Sequence, residues 1–72
     1  MLRAMLKTNK VVNILGRDCQ PDRWIEFASN DNRKGLEEDI AYMMNEVDEI
    51  EYIADLKVNY KVFDENKVVW EK

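Results

Sequence analysis

Ile50-Glu-Tyr-Ile-Ala-Asp-Leu-Lys-Val-Asn-Tyr-Lys-Val62 is the stretch that decides how this chain is read. Ile50, Tyr52, Ala54, Leu56, Val58, Tyr60 and Val62 are apolar at every second position. Of the residues between them, Glu51, Asp55, Lys57, Asn59 and Lys61 are polar and Ile53 alone is not. Strict alternation is the mark of a half-buried β-strand, and Tyr, Val and Ile suit a pleated surface. A helical reading competes, because Val47, Ile50 and Ala54 continue a 3-then-4 spacing from upstream. The unbroken alternation outweighs it. At ~3.3 Å per residue such a strand would exceed ~40 Å, so a bend or bulge is expected within it.

Upstream, Leu36, Ile40, Met43 and Val47 form an amphipathic helical stripe, thickened by Met44. Ser29-Asn-Asp-Asn32 supplies side chains that cap the first free amides. The helix is expected from about Arg33 to Glu46 or Val47, with Glu37, Glu38 and Asp39 favoured by the positive end of its dipole. Downstream, Asp64-Glu-Asn66 reads as a three-residue turn with Asn66 left-handed. It would set Val62 opposite Val68 and Tyr60 opposite Trp70 on a final strand, Lys67 to Glu71.

Towards the N-terminus, Lys10 to Leu15 reads as a strand, Gly16 to Asp22 as a loop and Arg23 to Ala28 as a second strand. These two strands are expected to pair as a hairpin. Residues 1–9 are ambiguous: Leu2, Met5, Leu6 and Val12 share a helical face that Asn9 interrupts. The fold class expected is α+β, in two layers, with one helix packed on an antiparallel sheet in the order β-β-α-β-β. The helix stripe would cover the even-numbered face of the long strand, and residues 1–72 would form a single domain.

The chain has 72 residues, 46% hydrophobic and 36% charged, one cysteine and no histidine. A chain this short buries only about 60% of its unfolded surface, so its stability is marginal. The apolar content is too high for a disordered chain. One thiol excludes an internal disulfide and a secreted disulfide scaffold. Cys19 reads as a loop residue without a special role, a reactive thiol being the less favoured alternative. The absence of histidine excludes Cys/His zinc sites and Ser-His or Cys-His nucleophiles. Arg3 and Lys7 break the apolar N-terminus, and no window approaches the ~20 apolar residues of a membrane span. The expected setting is therefore the cytoplasm, with no membrane contact, no cofactor, no metal and no enzymatic activity.

Charge is unevenly distributed. Glu37, Glu38, Asp39, Glu46, Asp48, Glu49, Glu51 and Asp55 lie in a stretch with no lysine or arginine. All eleven basic residues lie elsewhere, so a net −4 chain is split into a strongly negative block and a positive remainder. The triplet Glu37, Glu38 and Asp39 has neither the spacing nor the central glycine of a calcium loop. Met43, Met44, Trp24 and Trp70 are best read as core or partly buried residues, with interface roles as the alternative. The block itself has a plain reading, a solvated acidic surface. Against it, the block lacks the i, i+4 ion pairs that usually offset charge on a helix. Alternate residues on a strand are about 6.6 Å apart, so Glu49, Glu51 and Asp55 on the long strand would form a linear array of carboxylates somewhat like a row of phosphates.

In size, charge and plan, the whole chain resembles the small acidic proteins with which bacteriophages disable host factors, including DNA mimics. That resemblance implies a non-enzymatic inhibitor bound to the basic, nucleic-acid-binding surface of a host protein, with no direct contact to nucleic acid. Glu37, Glu38, Glu46, Asp48, Glu49, Glu51 and Asp55 would be its contacts. The alternative is an interaction or assembly module without mimicry, a homodimer being one form of it, docking through a sheet edge or through Trp24 and Trp70.

Overall fold

The computed structural model describes residues 1–50 and 53–71. The chain forms β1 (Leu2–Thr8), β2 (Val12–Ile14), β3 (Arg17–Cys19), β4 (Ile25–Asn30), α1 (Arg33–Asp48), β5 (Val58–Asp64) and β6 (Lys67–Glu71). It is a small α+β fold in which one helix packs against a four-stranded antiparallel sheet of order β4-β1-β5-β6. The expected order β-β-α-β-β gives way to four strands before the helix and two after it.

The ambiguous N-terminus becomes β1, an inner strand of the sheet. Ala4, Leu6 and Thr8 are buried on one side, and Arg3, Met5 and Lys7 alternate on the other. β4 and β5 both run antiparallel to β1, so they are parallel to each other. A parallel pair needs a crossover connection, and α1 belongs to it. This explains why the side chains of Ala4 and Leu6 are wholly buried.

The register aligns Ala4 with Val62, Leu6 with Tyr60 and Thr8 with Val58. The even-numbered face of β5 is thus the covered one, as the pattern predicts. Leu36, Ile40 and Met43 fill the helix side of the same core, with Met44 and Val47 partly buried beside them. Burying side chains of this size contributes about 1.5–3 kcal/mol each.

The helix boundary is set by side chains. Asn32 is the N-cap, in an extended conformation, and its Oδ1 accepts from the Lys34 N–H at 2.8 Å. Asn30 Oδ1 accepts from the Asn32 N–H at 2.8 Å. At the other end, the Glu49 and Ile50 N–H groups donate to the Glu46 and Val47 carbonyls, which tightens the last turn.

Three expectations fail near the N-terminus. Lys10–Leu15 shortens to β2, and its partner is β3, which lies in the stretch read as a loop. Leu15 (φ 52°) and Gly16 (φ 80°) turn the chain between them, both in the left-handed region that suits a two-residue hairpin. Arg23–Ala28 shifts to β4 and pairs with β1 rather than with β2. The β2–β3 hairpin contributes Val12, Ile14 and Cys19 to the core, with β2 against α1 and β3 against β1.

The long strand also fails in part. β5 begins only at Val58, and its ladder ends where Val58 meets Thr8. Residues 53–57 turn instead, with Asp55 at φ 61°. Asn9 fastens this turn: its Nδ2 donates to the Asp55 carbonyl at 2.8 Å, and its Oδ1 accepts from the Lys57 N–H at 2.7 Å. The Asn9 N–H donates to the Lys57 carbonyl at 3.1 Å, and Lys10 Nζ donates to the Ala54 carbonyl.

The last hairpin is tighter than expected. Glu65 and Asn66 form the turn, and Glu65 (φ 58°), not Asn66, takes the left-handed conformation. Val62 therefore meets Trp70 and Phe63 meets Val68, leaving Val69 as a bulge. A second bulge at Phe27 interrupts β4, where Ala4 pairs with Ala28 and Met5 with Glu26.

Candidate functional site: an acidic helix and an uncovered sheet face

The acidic residues do not form the expected row. Glu37, Glu38 and Asp39 are exposed on α1, Glu46 is half-buried, Asp48 ends the helix and Glu49 is its C-cap. Glu49 and Asp55 are not strand residues, because the strand that would have carried them is absent at both positions. Glu51 lies outside the described residues. The carboxylates on α1 are also spread around it. At 100° per residue, Glu37 and Asp48 fall on one flank, Asp39 and Glu46 on the other, and Glu38 points away from the core.

The helix carries its charge against its own dipole. Arg33 and Lys34 occupy the first turn, where the dipole is positive, and Glu46, Asp48 and Glu49 crowd the negative end. The favourable arrangement is the reverse. Glu37 lies beyond the first turn, where the dipole's help fades, and pairs with Arg33 at 3.1 Å instead. Among the described residues, Glu38, Asp39, Glu46, Asp48 and Glu49 make no ion pair. Local helix stability therefore does not account for these carboxylates.

The other side of the sheet has different chemistry. Arg3, Met5 and Lys7 of β1 lie beside Lys61 and Phe63 of β5 on the face that α1 leaves uncovered. Trp24, just before β4, lies on this face. The ammonium groups of Lys7 and Lys61 stand 5.6 and 4.9 Å from its ring centroid, within cation–π range. Arg3 Nε pairs with Glu26 at 2.7 Å. The second tryptophan belongs to the helix side: Trp70 packs against the core, with the Arg33 guanidinium 4.5 Å from its ring centroid. The expectation of partial core burial holds for Trp70 and fails for Trp24, which is half-buried under lysines on the opposite face and does not join the core.

Cys19 is a buried core residue at the end of β3 rather than a loop residue. Burial pushes its thiol above the usual pKa, and its Sγ lies 3.4 Å from the Arg17 carbonyl. Both keep it in the unreactive thiol form. Among the described residues, no three His, Cys, Asp or Glu side chains are grouped to hold a metal ion. No described helix is long and apolar enough to cross a membrane. Compared with known protein families, curated proteins and solved structures, the chain matches none.

The uncovered face left no clear mark in the sequence. Its residues come from β1, β5 and the segment before β4, and only the strand order brings them together. The available signals were the alternation of Arg3, Met5 and Lys7 with Leu2, Ala4 and Leu6, and the odd-numbered position of Lys61 in the period-two stretch.

Proposed function

We propose that this chain is a non-enzymatic binding protein whose acidic helix engages the basic, nucleic-acid-binding surface of another protein. The observation that supports this reading is the set of carboxylates at the C-terminal end of α1. Glu46, Asp48 and Glu49 have no ion pair among the described residues and stand where the helix dipole disfavours them. Charges that cost local stability fit a surface that gains by meeting a cationic partner. Inhibition by occupying a DNA-binding surface is the form this takes, with α1 in place of the phosphate-like strand expected from the sequence. Glu37, Glu38, Glu46, Asp48 and Glu49 are the proposed contacts.

The test separates binding from folding. Glu38→Lys, Asp48→Lys and Glu49→Lys together should leave the melting temperature unchanged or raise it, because two of the changes improve the match to the dipole. The same variant should lose the heparin-retained proteins of a bacterial lysate that the parent captures at low salt. Duplex DNA should displace those proteins from the parent. Capture that survives both the charge reversal and competing duplex would sink the proposal.

A further inference from the structure

The acidic balance of the chain argues against nucleic acid only as an average over the whole molecule. The two broad sides are separated by the sheet and by the helix layer, and the shortest dimension of the molecule is 19 Å. The Debye length at physiological salt is about 8 Å. A polyanion approaching the uncovered face therefore meets mainly that face's own charges. These are Arg3, Lys7 and Lys61, against Glu26, Glu71 opposite Lys61, and Glu65 at the end where Arg3 and Phe63 lie, so the positive charge is concentrated at the Lys7 end beside Trp24. Glu26 is engaged by Arg3, and Lys7 and Lys61 have no carboxylate partner among the described residues.

The aromatic content of the face has a direction as well. Trp24 lies beside Lys7 on one inner strand and Lys61 on the other, and Phe63 follows Lys61 on the same side of β5. Residues two apart on a strand are about 6.6 Å apart. Rings that flank cations along an open antiparallel sheet form the arrangement on which single-stranded bases stack while their phosphates meet lysine. An acidic polypeptide would use the cations but has no use for two rings. A duplex keeps its bases stacked inside and would use the cations alone.

We propose that the uncovered face formed by Trp24, Phe63, Lys7, Lys61 and Arg3 binds single-stranded nucleic acid without sequence preference. Lys7 and Lys61, which stand over the Trp24 ring in the free chain, swing to the phosphates, and the bases stack on Trp24 and Phe63. β1 supplies seven residues at ~3.3 Å each along the face, enough for a segment of about four nucleotides. This surface is independent of the acidic helix, so either proposal can fail without the other.

The experiment is a fluorescence titration of the whole chain with a twelve-nucleotide oligo(dT), a duplex of equal length and poly-glutamate. Oligo(dT) is expected to quench tryptophan emission, and the quench is expected to vanish in Trp24→Phe but persist in Trp70→Phe. With the two lysines engaged, affinity for the single strand should fall roughly 7-fold between 50 and 200 mM salt. Lys7→Glu with Lys61→Glu should weaken binding at least tenfold, while Glu38→Lys on the helix should not weaken it. Circular dichroism checks that each variant is folded, and Lys7→Gln with Lys61→Gln replaces the pair if the glutamates unfold it. Absence of quenching by oligo(dT) overturns the proposal. So does equal affinity for poly-glutamate or for the duplex, which would make the face a general polyanion or acidic-protein site. Light scattering that shows a dimer which Lys7→Glu with Lys61→Glu dissociates, placing the face between two copies, overturns it too.

Discussion

The two faces of the sheet are built from the same strands and differ only in residue parity. On β1, Ala4, Leu6 and Thr8 vanish beneath α1, while Arg3, Met5 and Lys7, one residue away in each case, remain partly open. On β5, Val62 is fully buried and its neighbours Lys61 and Phe63 are not. Alternation thus sorts one sequence into a packing surface and a chemical surface. Stability should reside on the first and binding on the second and on the outer side of α1.

The largest expected effect tests that division. Met43→Ala removes a wholly buried side chain from the covered side and should cost about 2–5 kcal/mol. In a chain of this size that loss leaves little or no folded protein at 25 °C, as urea denaturation would show. Phe63→Ala, on the uncovered side, should cost about 1 kcal/mol. Equal losses would mean that both faces serve as core.

A smaller effect is expected where the comparison ends, at the top of the β1–β5 ladder. Asn9→Ala deletes the side-chain bonds to the Asp55 carbonyl and the Lys57 N–H. It should lower stability by about 1–2 kcal/mol and speed amide exchange at Lys57, leaving exchange in α1 unchanged. The smallest effect lies outside both faces. Leu15 sits at φ 52°, which costs a residue with a Cβ about 1–2 kcal/mol. Leu15→Gly relieves this and loses part of the gain to chain entropy. A net rise of about 0.5 kcal/mol is expected, visible as a small upward shift in melting temperature.

How much of this was legible can be traced to where a strand finds a partner. The pattern from Ile50 to Val62 does not change at Val58, yet the strand begins only there. The reason lies 50 residues away: β1 has only Thr8 to offer Val58, and beyond Thr8 the chain turns off through Asn9. Ile50, Ile53 and Leu56 still pack against the core, but from a turn. Local alternation reports which residues seek burial, and pairing decides whether they become a strand. β1 itself was hidden by residue type, since Leu, Ala and Met favour helices although Leu2, Ala4 and Leu6 alternate. The helix was legible to within two residues because its stripe and its Asn32 cap are both local. Of the candidate site, the acidic content of α1 was legible. The row of carboxylates was not, because it depended on the failed part of the strand. The uncovered face needed the strand order.

The two bulges have a bearing on how this molecule meets its neighbours. Unpaired outer strands offer free amide and carbonyl groups to any passing chain, and proteins commonly blunt them. Here β4 and β6, the outer strands, each carry one extra residue near mid-length, Phe27 and Val69. A foreign strand laid along either margin would lose register part-way and could not extend its ladder. Association by sheet extension, and the fibrils it can seed, is disfavoured on both sides. What is left for recognition is the broad surfaces, where side chains rather than backbone make the choice of partner.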